Sequence, residues 1–234
     1  MRDGTENVRE NIGKRQMKGA IFDLDGTLLD SMPIYDTAGG DMLRALGYTP
    51  RAGLYDALRT LSGNEVLEYF HREYDTRETI AELEAALDKQ LERFYADTAP
   101  LKPGVARLLE ALRGLGIPMA VATATRRIHV EAALERTGAA KYFSRIFTCP
   151  EENTGKREPV IFLRAAEFLG TAPGETYVFE DSLHAIKSAK SAGFYVVAFY
   201  DGSERNNQAG IRELADEYYD SPAGFEISKG GGGL

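Results

Sequence analysis

The chain has 234 residues, of which 43% are hydrophobic and 27% are charged, and its formal net charge is −8. This length and composition exclude disorder, collagen and coiled coil as whole-chain structures, and they suit one large or two small globular domains. The acidic balance argues against a nucleic-acid partner, because nucleic-acid surfaces are basic. A local group of cations remains compatible with binding a small phosphorylated molecule.

The single cysteine, Cys149, excludes an intramolecular disulfide and a metal site built on cysteines. Chains without disulfides are typical of reducing compartments, so we expect the protein to be cytoplasmic. No apolar run approaches the roughly 18 residues that a membrane span needs, and residues 1–18 are polar and mixed in charge. We therefore expect no membrane partner. We also expect a monomer or weak dimer.

Short apolar runs that end in polar residues predict buried parallel strands. They cover residues 19–22, 118–122, 145–148, 176–179 and 195–199. Apolar residues at helical spacing lie between them, such as Val105, Leu108 and Leu112, and then Ile161, Ala165, Phe168 and Leu169. Strands that alternate with helices predict an α/β fold with a doubly wound, Rossmann-like parallel sheet.

The first two predicted strands lie about 95 residues apart, whereas a βαβ unit takes roughly 30. The chain between them has helical faces, such as Leu83, Leu87, Leu91 and Phe94, and lacks strand-like alternation. We therefore predict a core domain of residues 17–32 and 99–224 with an inserted α-helical cap domain of residues 33–98. Residues 1–16 and 225–234 are expected to be mobile tails.

Polar and charged residues follow the predicted strands at their carboxyl ends, which meet at one edge of a parallel sheet. They are Asp23, Asp25, Thr123, Lys156, Glu180 and Asp181. Each motif alone has an ordinary structural explanation: a turn for Asp23 and Asp25, a helix N-cap for Thr123, an exposed loop for Lys156. Their convergence on one edge favours a functional site instead.

Four carboxylates crowded at one edge repel each other unless a divalent cation holds them. Because no histidine or cysteine belongs to the group, the hard, oxygen-liganded ion Mg²⁺ is the predicted cofactor. Lys156 and Thr123 supply a positive charge and a hydroxyl donor, as the oxygens of a phosphoryl group require. The predicted partner is a small phosphorylated metabolite.

These motifs resemble the haloacid dehalogenase superfamily, in its β-phosphoglucomutase and phosphoglycolate phosphatase-like subgroup. Residues 22–31 match the first motif of that family, the Thr123 loop the second, Gly155-Lys156 the third and residues 179–182 the fourth. The resemblance covers roughly residues 18–219 in the right order, with a helical cap where the family has one. It implies a Mg²⁺-dependent phosphatase that hydrolyses a small phosphomonoester, such as a sugar phosphate.

The resemblance also implies a role for each residue. Asp23 attacks phosphorus to form an aspartyl-phosphate, and Asp25 acts as general acid and then general base. Mg²⁺ is held by Asp23, the backbone carbonyl of Asp25, Asp181 and Glu180. The phosphoryl and substrate contacts are assigned to Thr123, Ala124, Arg126 and Lys156. Arg126 has an equal alternative as a solvated residue in the first turn of a helix.

Two departures from the family pattern concern the substrate and the loop of the third motif. A β-phosphoglucomutase-like isomerase is the alternative function. The mutases resembled here carry a histidine in the early cap, where this chain has Tyr35, and this difference argues against the alternative. The third motif reads Gly155-Lys156-Arg157, with arginine in the place of the usual proline. A catalytically silent binding module is a third alternative, which the intact Asp23, Asp25, Lys156 and Asp181 disfavour.

Overall fold

The structure is a computed structural model and describes residues 16–58, 61 and 63–226. Within these residues, six strands form one parallel sheet in the order β3-β2-β1-β4-β5-β6. The strands are β1 Gly19–Phe22, β2 Met119–Thr123, β3 Arg145–Thr148, β4 Thr176–Glu180, β5 Tyr195–Phe199 and β6 Glu217–Tyr219. The chain winds from β1 outward to β3 and then returns to β4 beside β1. The predicted doubly wound α/β fold is confirmed.

Helices occupy the connections and cover both faces of the sheet. Four of them follow one another directly after β1: α1 Ile34–Ala45, α2 Leu54–Leu58, α3 Gly63–Tyr74 and α4 Ile80–Asp97. The others in the described residues are α5 Val105–Gly114, α6 Arg127–Arg136, α7 Cys149–Glu152, α8 Val160–Leu169, α9 Leu183–Ser191 and α10 Gln208–Leu214. Helices α1–α4 occupy the long interval that the sequence predicted between the first two strands, and α5 then leads into β2.

The predicted strand bounds agree for β1, β3 and β5 and differ for β2 and β4. The strand expected at 118–122 begins one residue later, because Pro118 has no N–H to donate to a ladder, and it also ends one residue later, at Thr123. The strand expected at 176–179 extends to Glu180. The sequence analysis missed β6, a three-residue edge strand whose residues Glu217–Tyr219 are all half-buried.

Side chains that alternate along the strands build two separate apolar layers. Phe22 and Phe179 are paired in register on neighbouring strands, and their rings stack at 4.3 Å on the face covered by α5 and α6. Ile21 and Val178 point to the opposite face, where α8 and α9 cover them. All four side chains are fully buried, so the strands that carry the site are anchored from both sides.

The four inserted helices have an apolar cluster of their own, with Met42, Leu43, Phe70 and Leu83 buried at its centre. Helix α4 begins at a capping box, in which Thr79 and Glu82 satisfy each other's backbone N–H groups. The same helix ends against the main core. The cap bounds of 33–98 stay a prediction, with α1 beginning just after and α4 ending just before them.

The two predicted tails fall largely outside the described residues, which exclude 1–15 and 227–234. Residue 225 is described: Phe225 is buried, and its ring makes edge contacts with Phe179 and Tyr219. The main core therefore continues past the predicted limit of residue 224. In the described part of the chain, no helix combines the length and the apolar character needed to cross a membrane.

Candidate active site

Three strand ends meet where the winding of the sheet reverses. Strand β1 lies between β2 and β4, so Asp23, directly after β1, is flanked by Thr123 at the end of β2 and Glu180 at the end of β4. Asp181 follows Glu180. Crevices at such a reversal are where open α/β sheets bind ligands. The structure thus brings the predicted groups to one edge of the sheet.

A tight turn after β1 fits closely beneath Asp181. Gly26 has a φ of +83°, and a Cβ atom at this position would overlap with Oδ2 of Asp181. The Thr27 hydroxyl donates to Oδ1 of the same carboxylate at 3.2 Å. The buried Lys102 ammonium donates to the Gly26 carbonyl at 2.5 Å and pairs with Asp201 at 2.8 Å. The turn is therefore fixed by both backbone conformation and side-chain contacts.

Lys156 is buried between two carboxylates. Its ammonium group forms an ion pair with Oδ1 of Asp23 and another with Oε1 of Glu180, the latter at 2.6 Å. The exposed fractions are 7% for Lys156, 6% for Asp23 and 1% for Glu180. The other oxygen of Glu180 accepts from the backbone N–H groups of Asp181 and Ser182, both at 2.9 Å. This burial distinguishes Lys156 from an ordinary loop lysine.

Three carboxylates, those of Asp23, Glu180 and Asp181, surround one lysine, and the pKa values of two of them are raised. Burial raises the pKa of Asp23 to about 7, although Lys156 opposes the shift. Burial and the neighbouring Glu180 and Asp23 charges raise the pKa of Asp181 well above its usual range. Burial alone would also raise the pKa of Glu180, but Lys156 outweighs it and lowers the value. The site is therefore short of positive charge.

A divalent cation suits this charge imbalance. One carboxylate oxygen from each of Asp23, Glu180 and Asp181 lies within 4.8 Å of the others. A donor set made of carboxylate oxygens favours a hard ion such as Mg²⁺ over zinc or copper. Asp23 and Asp181 are the stronger candidate ligands, because both oxygens of Glu180 already accept hydrogen bonds from Lys156 or from the backbone.

Asp25 belongs to the site, yet its side chain points to a different set of partners. Its Oδ1 accepts from the hydroxyls of Ser31 and Tyr95, both at 2.6 Å. Its Oδ2 accepts from the Thr125 hydroxyl at 2.5 Å. The Asp25 carboxylate therefore does not belong to the cluster of Asp23, Glu180 and Asp181. The backbone carbonyl of Asp25 is the group that the sequence analysis assigned to the metal.

The loop after β2 offers donors for an anion beside Asp23. The Thr123 hydroxyl oxygen accepts from the Thr125 N–H at 3.0 Å, which leaves its own proton to donate. Thr123 is buried and does not cap α6, whose N-cap residue is Arg126. Ala124 is exposed and lines an open hollow together with Cys149. The N-cap explanation for Thr123 therefore does not apply.

Comparison with known proteins identifies the family. Residues 17–193 match the haloacid dehalogenase-like hydrolases. The chain belongs to this family of hydrolases. It is 28% identical over 177 residues to the phosphorylated carbohydrates phosphatase of Thermotoga maritima, covering 76% of this chain and 82% of that protein. It is 30% identical to hexitol phosphatase A of Escherichia coli, covering 77% and 82% of the two chains.

The structural comparison agrees with the sequence match. CbbY of Rhodobacter sphaeroides, solved in complex with xylulose-1,5-bisphosphate, superposes with a TM-score of 0.74 and 27% identity, covering 89% of this chain and 96% of that one. Phosphoglycolate phosphatases and a β-phosphoglucomutase are also among the similar proteins. The predicted family resemblance and the predicted enzyme class, a hydrolase of this family, are confirmed.

In this haloacid dehalogenase-like hydrolase, Arg126 is engaged by the inserted helices. Its guanidinium forms an ion pair with Asp88 of α4, and Nε2 of His129 lies 3.0 Å from the other oxygen of Asp88. Partial burial alone would raise the pKa of Asp88, but the hydrogen bonds with His129 and Arg126 outweigh it and lower the pKa. Arg126 therefore links α6 to α4 and lies outside the carboxylate cluster.

Sequence reasoning missed Tyr95, Asp88 and His129. It placed Phe94 rather than Tyr95 on the buried face of α4, whereas Tyr95 is fully buried and Phe94 is only half-buried. Asp88 and Tyr95 are seven residues apart, two helical turns on one face, and this polar spacing was the available signal. It became interpretable only once α6 was known to pack against α4.

Proposed function

We propose that the protein is a Mg²⁺-dependent phosphatase that hydrolyses a small phosphomonoester through an aspartyl-phosphate on Asp23. The observation that carries the proposal is the buried contact of Lys156 with Asp23, at a strand end shared with Asp181. A lysine that touches the nucleophile neutralises charge where a phosphoryl group arrives. The family assignment and the phosphatase names of similar proteins support the same chemistry.

The reaction divides into two displacements, both served by the same side chains. An Asp23 oxygen attacks phosphorus and the bond to the leaving oxygen breaks, while Asp25 gives its proton to the departing alcohol. A water molecule then attacks the phosphorus of the aspartyl-phosphate, the bond between phosphorus and the Asp23 oxygen breaks, and Asp25 takes a proton from the water. Inorganic phosphate leaves, and both aspartates return to their starting states. Thr123 and Lys156 hold the phosphoryl oxygens, beside the Ala124 backbone.

Asp23 and Asp181, with the backbone carbonyl of Asp25 and with Glu180, are the proposed ligands of Mg²⁺. The bound ion supplies positive charge that lowers the proton affinity of the carboxylates and offsets charge on the phosphoryl oxygens. Without it, Asp23 has a pKa of about 7 and is partly protonated at neutral pH, where a protonated carboxyl group is a poor nucleophile. Activity is therefore expected to require the cation.

The substrate is proposed to be a small phosphorylated metabolite such as a sugar phosphate. Similar proteins are named for phosphorylated carbohydrates and hexitol phosphates. A cavity of about 520 Å³ is lined mainly by apolar side chains of the inserted helices, with Ser203 and Arg205 of the core beside them, and none of the proposed catalytic residues belongs to its lining. This volume suits a small organic ligand. We further propose that the enzyme works in the cytoplasm, as a monomer or weak dimer.

Phosphate release tests the proposal. The protein is incubated with sugar phosphates, hexitol phosphates and phosphoglycolate, in Mg²⁺ and in chelator, beside the Asp23→Asn variant. Release that needs Mg²⁺ and is lost in the variant is expected. Conversion of a sugar 1-phosphate to its 6-phosphate without phosphate release would instead favour the mutase, which the residue Tyr35 argues against. No reaction and no binding of phosphate would leave the silent module as the better explanation.

A further inference from the structure

A tyrosine from the inserted helices reaches the proposed general acid. Tyr95 lies in the last turn of α4, and its hydroxyl donates to Oδ1 of Asp25 at 2.6 Å. The side chain is fully buried. A carboxylate oxygen can only accept, so the phenol is the donor in this hydrogen bond.

The Asp25 carboxylate is held from three separate parts of the chain. Ser31, in the connection after β1, shares Oδ1 with Tyr95, and Thr125, in the loop after β2, donates to Oδ2. Hydrogen bonds to both oxygens fix the plane of the carboxylate as well as its position. Ser31 and Thr125 sit on the loops of the sheet, whereas Tyr95 comes from the inserted helices.

The Tyr95 ring is itself held in place by the core. It stacks on His129 of α6 with 5.4 Å between ring centroids and 15° between planes, and it meets Phe94 edge-on at 5.5 Å. His129 in turn contacts Asp88, which lies two turns before Tyr95 on α4. The position of the phenol is thus set by the packing of α4 on α6, and the hydroxyl has little freedom to leave Asp25.

We propose that Tyr95 is a positioning residue that orients Asp25 for proton transfer to the leaving group. The inference rests on the proposed phosphatase function, in which Asp25 is the general acid. Tyr95 touches neither substrate nor phosphorus in this proposal and acts only through Asp25. Without its hydroxyl, the carboxylate keeps two donors and gains rotational freedom, so proton transfer becomes less efficient.

Leaving-group dependence tests this role in Tyr95→Phe. The variant retains the ring and its stacking on His129 but lacks the hydroxyl. An alkyl phosphate needs its leaving oxygen protonated, whereas p-nitrophenol departs readily as an anion. We expect kcat/KM, which covers the step in which the alcohol leaves, to fall about tenfold for the alkyl phosphate and less than about twofold for p-nitrophenyl phosphate. Asp25→Ala should show the same selectivity more strongly.

Equal losses on both substrates would overturn the proposal, since a purely structural defect does not distinguish leaving groups. Tyr48→Phe is the matched control, because it removes the hydroxyl of a half-buried tyrosine in the same helical insertion, and this hydroxyl bonds to Glu78 at 2.8 Å and not to Asp25. This control is expected to leave the ratio of the two kcat/KM values unchanged. A Tyr48→Phe ratio that moves as far as that of Tyr95→Phe would also contradict the proposal.

A second measurement separates failure of this inference from failure of the proposed function. Thermal unfolding of Tyr95→Phe, Asp25→Ala and the double variant forms a cycle that needs no activity. Shifts in Tm that fail to add would support Tyr95 as the group that orients Asp25, even if the wild-type protein releases no phosphate. Additive shifts would mean that Tyr95 and Asp25 are not energetically coupled, and would overturn the inference.

Discussion

Replacing Lys156 with methionine tests the electrostatic basis of the site most directly. Methionine keeps most of the side-chain volume but leaves Asp23 and Glu180 buried without their cation. Breaking a buried ion pair by removing one partner costs about 3–5 kcal/mol. Proton uptake by Asp23, whose pKa is already about 7, limits this loss at low pH. The metal-free variant should therefore be destabilised more at pH 8 than at pH 6.

Urea unfolding of the metal-free protein at both pH values measures this loss. Lys89→Met, at an exposed position of the inserted helices, is the control and is expected to change stability by less than about 0.5 kcal/mol. Phosphate release by Lys156→Met should fall at least about a hundredfold, because the charge that faces the phosphoryl group is lost. A stability loss for Lys156→Met that equals the control, or does not grow with pH, would refute the reasoning.

Three further results are expected. Gly26→Ala should lower the free energy of unfolding, measured with denaturant, by about 2 kcal/mol or more, and should weaken Mg²⁺ binding measured by calorimetry. Gly47 has a similar positive φ but open space around it, so Gly47→Ala should lower the free energy of unfolding only by the cost of the backbone conformation, roughly 1–2 kcal/mol. Because the pKa of Asp23 is raised on folding, the Tm in chelator should fall as pH rises from about 4 toward about 7, and saturating Mg²⁺ should flatten that slope. Because the pKa of Asp88 is lowered on folding, its contribution should be present near neutral pH and lost on acidification, so the Tm values of wild type and Asp88→Asn should converge as the pH drops below the ordinary range of an aspartate.

The sheet and the clustering of the acidic residues could be predicted because both follow from topology. Once alternating strands and helices are recognised, the carboxyl ends of parallel strands must share an edge, which brings Asp23, Glu180 and Asp181 together. Strand β6 was not predicted because its residues 217–219 are few, polar in part and only half-buried. An edge strand of this kind leaves little periodicity to detect.

Contacts between packed helices were beyond the sequence pattern. The apolar spacing on α4 selects Phe94 as readily as Tyr95, and only the docking of α4 on α6 decides which ring is buried. The same limit explains Phe168, predicted on a buried face yet 46% exposed, where the Arg145 guanidinium and the Phe147 ring partly cover it. Arg126 is another case, since its partner Asp88 is distant in sequence.

The pairing of β1 with β4 has a consequence for how activity arises during folding. These neighbours are separated by about 150 residues, so their contact closes the longest loop between any two adjacent strands of the sheet. A growing chain that ends before β4 carries Asp23 but lacks the acidic residues that complete its surroundings. Local helices can form early, whereas this pairing is slow because of its sequence separation. Phosphate release after dilution from denaturant is therefore expected to return only after this long-range pairing has formed.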